Sequence, residues 1–322
     1  MKNRARIVIA VALIAAILSI SVFSAAYLVD REKERVSYML ELFTKDIDRW
    51  LNLYSEFGRV LANSPELKEA SLEQIKQNLK LIHNVTPPEV NSLIFIDLDG
   101  MGYYTTGATH DLSDRQYFKD IIIDRKMDSQ ITNTYFSRST GKPIISFHEI
   151  VKDQHDKVKG ILYISVLVEA LRSKTAEFVP AEDSLNYILG NDDIFFAFSG
   201  VDGDLPIEKE EQIALLRSLG LGDLLNRIPK DIHSSENGGW FNYVRDDGDK
   251  RVVFYTPVKR SPGFIFFTSV PSEEIYYGAA LTLFVGLFAA LFSIVVTYIL
   301  CRRSKTTPPV IIGLLLSRKS QK

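Results

Sequence analysis

Residues 91–106 read NSLIFIDLDGMGYYTT, and this stretch decides the fold class. Residues 91–97 are mostly apolar and form a short run of strand-favouring side chains. Asp99 and Gly100 follow as a dipeptide typical of tight turns, and residues 101–106 have the composition of a second strand. The stretch therefore predicts an antiparallel hairpin.

Further strand patterns continue towards the C-terminus in two similar cycles. Each cycle has a strand, a turn, a second strand, a helix and three more strands, and no step requires a crossover between parallel strands. We therefore predict an antiparallel α+β fold. The predicted strands are 91–97, 101–106, 131–137, 143–151 and 160–168 in the first cycle, and 184–189, 194–199, 240–245, 250–257 and 263–270 in the second. Helices are predicted from Ser113 in the first cycle and over residues 210–225 in the second.

Residues 30–62 precede the hairpin and predict a long helix that lacks proline. Apolar residues recur along it at alternating steps of four and three, which is a heptad pattern. Two interpretations stay open. The helix packs only on its own domain, or one side packs on the domain and the other on a partner helix in a homodimer. The second is suggested by extra apolar residues beside the seam, which are Met39, Leu42, Leu51, Leu53 and Val60. The seam residues are Val36, Leu40, Phe43, Ile47, Trp50, Tyr54, Phe57 and Leu61. Pro65 ends this helix, and residues 71–83 predict a second one.

Two uncharged runs, residues 7–29 and 276–300, flank residues 30–275. The shorter has 23 residues, and as a helix it would extend about 35 Å, enough for the hydrocarbon core of a bilayer. The net charge of the whole chain is -2. The two ends carry +9, however, and residues 30–275 carry -11.

Basic residues flank both apolar runs on one side: Lys2, Arg4 and Arg6 before the first, and Arg302, Arg303 and Lys305 after the second. The positive-inside rule then predicts a two-pass protein of the plasma membrane with cytoplasmic termini and an extracytoplasmic middle. A cleaved signal peptide is the alternative for the first run, but its length favours an uncleaved anchor. A strongly basic nucleic-acid binder is excluded by the charge.

In this order of elements the chain resembles the double Cache sensor family, whose extracellular domains lie between two membrane spans in bacterial chemoreceptors, sensor histidine kinases and diguanylate cyclases. The resemblance covers residues 30–300 and implies two PAS-like sheet modules. It rests on residues 96–100 (IDLDG), 114–118 (DRQYF), 134–135 (TY), 140–142 (TGK) and 160–165 (GILYIS), and on residues 242–243 (NY), 247–248 (DG) and 261–264 (SPGF) in the second module.

The resemblance implies a ligand site in the membrane-distal module. One subgroup of the family binds amino acids or amines through an Arg, two aromatics, a Tyr and an Asp. Arg115, Tyr117, Phe118 and Tyr135 match the first four, whereas Ser165 stands at the Asp position and supplies no charge for an ammonium group. A carboxylate-bearing or small polar ligand is therefore expected.

The residues themselves support the same chemistry. Arg115 is suited to bind a carboxylate, and Tyr117, Phe118 and Tyr135 to wall a pocket. Adjacent helical residues point about 100° apart, so at most one of Tyr117 and Phe118 is expected to face the ligand. Ser146 is a further candidate on the strand face that it shares with His148. A salt bridge of Arg115 with Asp111 or Asp114 and a core role for the aromatics are the alternatives.

Motifs of catalysis and metal binding are missing from the sequence, and neither enzyme activity nor a cofactor or metal is expected. Residues 96–100 resemble the nucleophile motif of haloacid-dehalogenase-type phosphatases, but Met101 stands where Thr is expected and no parallel sheet is predicted. The paired acidic residues 192–193 and 246–247 lie in turns, and each turn has too few ligands for Ca²⁺.

The sequence therefore predicts a membrane-anchored extracytoplasmic sensor for a small molecule, a homodimer through its stalk helix. Residues 301–322 are too few for an output domain, so the chain is expected to be either a truncated receptor or one that signals through a partner in the membrane or cytoplasm. The alternative is a membrane-tethered binding or scaffold protein that does not signal.

The sequence also predicts the domain bounds. Along the chain these are the N-terminus 1–6, the first span 7–29, the sensor 30–275, the second span 276–300 and the tail 301–322. The sensor is divided into the stalk and second helix 30–83, the distal module 84–178 and the proximal module 179–275.

Overall fold

A computed structural model describes residues 2–198 and 209–306. The end of the predicted strand 194–199 and most of the predicted tail 301–322 lie outside these residues. The chain forms two compact units, one made of residues 1–34 with 273–322 as far as they are described, and the other of residues 35–272.

The first unit contains the start of helix α1 (Lys2–Ala62) and helix α8 (Ser272–Thr306). Both helices are long and apolar enough to cross a membrane. They approach each other closely at Gly286, where an added Cβ atom would clash with the Ser21 hydroxyl. Large apolar side chains such as Phe23 and Phe284 are exposed on them. Exposed apolar surface of this kind is typical of helices that contact lipid.

In the second unit, α1 continues to Ala62 as the long N-terminal helix that the sequence predicts. Val36, Leu40 and Ile47 of its heptad seam are buried within the single chain, as are Tyr54 and Leu61. The seam therefore packs on its own domain, as both interpretations of the sequence expect for one side of the helix.

Two shorter helices follow α1. Pro65 begins α2 (Pro65–Lys68), where a proline is tolerated because the first helical N–H has no partner. Helix α3 (Leu72–His83) begins with a capping box between Ser71 and Gln74. Lys159 stabilises this region, since its ammonium group donates to the backbone carbonyls of Leu67, Lys68 and Ala70 at 2.7–3.1 Å.

The first module is a seven-stranded antiparallel sheet. The strands run in the order β3-β2-β1-β7-β6-β4, and β5 also pairs with β6. Its strands are β1 (Val90–Asp97), β2 (Met101–Tyr104), β3 (Thr109–Asp111), β4 (Ser129–Ile131), β5 (Tyr135–Phe136), β6 (Pro143–Lys152) and β7 (Val158–Leu167). Helix α4 (Gln116–Phe118), a following π-helical turn (Lys119–Ile123) and α5 (Val168–Ala176) complete the module.

Both faces of this sheet are covered, so successive residues of β6 have different neighbours. Phe147 points towards α1, with its ring centroid 5.5 Å from that of Tyr54. His148 points to the opposite face, where it stacks on Tyr117 of α4 at 4.0 Å. Alternation along the strand thus separates a stalk face from an α4 face.

The second module is a five-stranded antiparallel sheet in the order β10-β11-β12-β8-β9. The strands are β8 (Leu185–Leu189), β9 (Phe195–Phe198), β10 (Gly239–Val244), β11 (Lys250–Pro257) and β12 (Ile265–Pro271). Its helices are α6 (Lys209–Ser218) and α7 (Gly222–Arg227), with a 3₁₀ turn at Ile232–Ser234. The buried rings of Tyr187, Phe195 and Phe267 pack together in its core.

The predicted antiparallel α+β class and the long N-terminal helix are confirmed. Three local details differ from the prediction. The predicted strand 131–137 is interrupted between β4 and β5. The helix expected from Ser113 has only one α-helical turn, α4, before it widens to a π-helical turn. The helix expected over 210–225 is divided by Gly220, whose φ of 73° does not fit a helix.

Candidate ligand-binding site

A cavity of about 310 Å³ lies where the interrupted edge of the first sheet meets the second module. Residues 130–135, which include the break between β4 and β5, form one wall. Arg115, Gln116 and Tyr117 form another. Asn191 and Pro262 reach the cavity from the second module, and the Asn133 amide donates a hydrogen bond to the side-chain carbonyl of Asn191. Both modules therefore shape the site.

Arg115 occupies the N-cap position of α4 and is half-buried. Its guanidinium carbon lies 5.2 Å from the centre of the Tyr135 ring, a cation–π contact. The buried Nε of Arg115 has no hydrogen-bond partner among residues 2–198 and 209–306. A donor left in this state is costly unless a ligand or water binds it.

The acidic residues beside Arg115 are engaged elsewhere. The Asp114 carboxylate pairs with Arg138 at 2.5 Å, and the same guanidinium donates to the Asp111 backbone carbonyl at 2.7 Å. Within the described chain, Arg115 has no ion pair with Asp111 or Asp114. Its positive charge is therefore available to the cavity.

Tyr135 lines the cavity with its ring and is held by its hydroxyl. That hydroxyl lies 2.6 Å from Ser146 Oγ and donates to Tyr163 at 3.0 Å. Burial raises the pKa of Tyr135 to about 12, so it stays neutral. Ser146 is fully buried behind Tyr135 and also contacts Thr132 Oγ1 at 2.9 Å. Ser146 thus fixes two residues of the cavity wall.

Tyr117 lines the cavity and stacks on the buried ring of His148. The His148 Nε2 lies 3.3 Å from Ser146 Oγ. Burial lowers the pKa of His148 to about 3, and it raises the pKa of Tyr117 far above its usual value. Both rings are therefore neutral at pH 7.

The six site residues expected from the sequence occupy three kinds of position. Arg115, Tyr117 and Tyr135 line the cavity, and Ser146 supports it from behind. Phe118 does not line it, because the adjacent Tyr117 takes that face and Phe118 packs into the apolar core.

Ser165 also lies away from the cavity. It is fully buried on β7 next to β1, with its hydroxyl 2.7 Å from Ser92 Oγ and accepting from the Asn91 amide at 3.3 Å. These two contacts satisfy the hydroxyl within the sheet.

Sequence reasoning missed most of the polar lining. These residues are Gln116, Gln130, Thr132, Asn133, Thr134 and Asn191. The run of Thr132, Asn133 and Thr134 in an otherwise apolar strand is the signal that could have revealed the break. Nothing in the local sequence indicates Asn191 or Pro262, since only the packing of the modules brings them here. In the described ranges no group of three His, Cys, Asp or Glu residues could hold a metal ion.

Comparisons with known proteins identify relatives of this architecture. A family model described as Cache domain matches residues 24–279. The sensory domain of the Campylobacter jejuni chemoreceptor Tlp3 with isoleucine bound is similar at 16% identity, with a TM-score of 0.56 over 79% of this chain and 98% of that chain. The ligand-binding domain of the Pseudomonas fluorescens chemoreceptor CtaA with L-serine is similar at 17% identity, with a TM-score of 0.56 over 76% and 98%.

The same CtaA domain in complex with L-isoleucine gives 16% identity and a TM-score of 0.57, over 77% of this chain and 95% of that chain. No curated protein matches the sequence significantly. At these identities the structural likeness establishes the fold.

Proposed function

The chain belongs to the Cache domain family, and from this premise we propose that it is a membrane-anchored extracytoplasmic sensor for a small carboxylate-bearing ligand. The structural relatives are a sensory domain and a ligand-binding domain of chemoreceptors, which supports a sensory role. Arg115, Tyr117 and Tyr135 are proposed to contact the ligand, with Ser146 holding Tyr135 in place.

The half-buried guanidinium of Arg115 is the observation that carries this proposal. It faces a cavity, and its buried Nε has no partner among the described residues. The nearest acidic side chain in sequence, Asp114, pairs with Arg138. A guanidinium fork matches the two oxygens of a carboxylate. The solved relatives bind isoleucine and serine, which both carry a carboxylate.

The aromatic walls support a ligand with an apolar portion. Tyr117 and Tyr135 present ring surfaces, and Ile131 and Pro262 add apolar contacts. Small-molecule sites commonly combine such walls with a few fixed polar groups. Because Asn191 and Pro262 belong to the second module, a bound ligand would contact both modules at once.

Ligand binding is tested by a thermal-shift screen of the full chain in nanodiscs against small carboxylates, amino acids and amines. A ligand at 100 times its dissociation constant should add about 2.7 kcal/mol to the free energy of unfolding. We expect hits among carboxylates. Their absence across the whole screen would overturn the sensor proposal and favour a scaffold role.

Membrane anchoring is proposed from the two apolar helices and their basic flanks. Cys301 is the one cysteine of the sequence and follows the second apolar run. A membrane-impermeant maleimide should label it only after permeabilisation of the cells. In a Cys301→Ser background, Asn237→Cys in the middle segment should be labelled in intact cells. The reverse pattern would contradict the proposed topology.

A homodimer through the stalk is proposed on the side of α1 that the chain leaves exposed. Leu42, Leu53 and Val60 show 43%, 59% and 68% of their surface there. Leu53→Cys in the Cys301→Ser background should form a disulfide-linked dimer on mild oxidation. Glu41→Cys, an exposed site about 100° round the helix from Leu42, should do so less. Equal cross-linking at both sites would argue against a specific stalk interface.

A further inference from the structure

Among the described residues, the charge that lines the cavity is positive only. Arg115 is the only charged residue among those that line it, and no Asp or Glu does so in the described chain. Two nearby carboxylates are engaged by other groups. Asp120 accepts from Gln116 at 3.0 Å and Lys126 at 2.9 Å, and Asp193 pairs with Lys209 and His233.

The cavity also contains neutral acceptors to which no described residue donates. The side-chain carbonyl oxygens of Gln130 and Asn133 are buried and have no hydrogen-bond partner within residues 2–198 and 209–306, and the same holds for the Thr134 hydroxyl. Gln130 and Asn133 lie on the same wall as Tyr135. An unpaired buried acceptor is costly, and an O–H or amide N–H of a ligand would satisfy it.

These two features favour a hydroxyl group of the ligand over an ammonium group. An ammonium group would leave water for a site where the described lining residues supply no negative charge. Neutral carbonyl oxygens compensate only part of that desolvation cost. A hydroxyl has a much smaller desolvation cost and finds the same acceptors. Arg115 would bind the carboxylate of either ligand equally well.

We propose that the cavity selects carboxylates whose other polar groups are neutral donors, such as 2-hydroxy acids, over the corresponding α-amino acids. This inference rests on the proposed ligand-binding function of the cavity. It assigns specificity to Gln130 and Asn133, which act as neutral acceptors for the donor group of the ligand.

Matched ligand pairs test the proposal by calorimetry on the full chain in nanodiscs. The pairs are L-lactate with L-alanine, L-2-hydroxy-4-methylpentanoate with L-leucine, and L-3-phenyllactate with L-phenylalanine. In any pair that binds, we expect the hydroxy acid to bind at least tenfold more tightly. Equal or tighter binding of the amino acid, lost in Arg115→Ala, would overturn this inference and leave the proposed function standing. No binding by either series would count against both.

A variant with a carboxylate in the cavity tests the cause of the selectivity. Gln130→Glu should raise the affinity for the amino acid at least tenfold and weaken binding of the hydroxy acid, because the new charge attracts the ammonium group. Glu182→Gln, a charge change at an exposed site, is the control and should leave the ratio unchanged. If Gln130→Glu lowers the unfolding midpoint markedly, Asn133→Asp repeats the test. An unchanged ratio in a folded variant would refute the proposed role of the neutral acceptors.

Discussion

The backbone amide of Arg260 donates a 2.8 Å hydrogen bond to Asp48 Oδ1 on the stalk helix α1. The Arg260 guanidinium also donates to the Asn52 side chain, one turn further along the helix. Residues 258–264 form the loop between β11 and β12, closed by a 2.8 Å bond from the Val258 amide to the Phe264 carbonyl. Pro262 in the same loop lines the cavity. One short loop thus touches both the stalk helix and the candidate site.

Asp48→Ala should loosen this loop without removing any residue of the cavity. The Arg260 amide loses its acceptor, and a hydrogen bond of this kind contributes about 0.5–1.5 kcal/mol. Hydrogen exchange of residues 258–264 should therefore become faster, while ligand affinity changes less than threefold. Asp46→Ala is the control, since Asp46 pairs with Arg49 on the helix surface. Slow exchange in Asp48→Ala would show that other contacts hold the loop.

Arg115→Ala should weaken ligand binding by about 10- to 150-fold, since a hydrogen bond to a charged group contributes about 1.5–3 kcal/mol. Calorimetry of a ligand found in the screen measures this change. Lys119→Ala removes the same charge from an exposed position four residues on, outside the cavity, and should have little effect. Similar losses in both variants would point to a general effect of charge instead of a direct contact.

Glu149→Gln should stabilise the protein at alkaline but not at acidic pH. Glu149 lies on the stalk face of β6, near Gly58 of α1, and is influenced by Glu56, Arg59 and Asp128. Burial raises the pKa of Glu149 from 4.5 to about 7. The unfolded chain therefore loses this proton at lower pH than the folded chain, and stability falls as pH rises from about 4.5 to about 7.

Denaturant unfolding of wild type and Glu149→Gln at pH 4.5 and pH 8 checks this expectation. The variant should be more stable than wild type at pH 8, with a much smaller difference at pH 4.5. A difference that does not depend on pH would mean that the carboxyl group is not the source of the effect.

His148→Phe should remove an acid-sensitive component of stability while keeping a ring against Tyr117. The pKa of His148 is lowered from 6.5 to about 3 by burial, so the unfolded chain takes up this proton first. The stability that the neutral ring supplies is complete above about pH 6.5 and is lost as pH falls towards 3. Between pH 7.5 and pH 5, the free energy of unfolding should therefore fall less in His148→Phe than in wild type. His155→Phe, at an exposed site, should keep the slope of wild type.

The sequence predicts the fold better than it predicts the site. Strand and helix periods are local signals, and they indicate the α+β class and the stalk helix. The sequence also predicts that Arg115 and Tyr117 lie in one site, because the two residues are only two positions apart in the chain. Residues 131–137 are predicted as one continuous strand, since the alternation of side chains does not reveal where pairing breaks.

Two expected site residues illustrate what a local pattern cannot decide. Ser165 on β7 lies directly opposite Ser146 on β6, so the two side chains are on the same face of the sheet. Its hydroxyl is nevertheless satisfied by Ser92, a partner 73 residues away in sequence. Similarly, the pair Tyr117 and Phe118 predicts that one ring faces the ligand, and only packing selects which.

The two faces of β6 limit how this protein can change during evolution. Ser146 and His148 support the cavity, whereas Phe147 and Glu149 meet the stalk helix, and the two sets alternate along one strand. Point substitutions can therefore retune ligand preference and stalk packing separately. An insertion or deletion of a single codon within β6 would exchange the two sets and damage both at once. Homologues that diverge in ligand are accordingly expected to keep the length of this strand and to vary in its side chains.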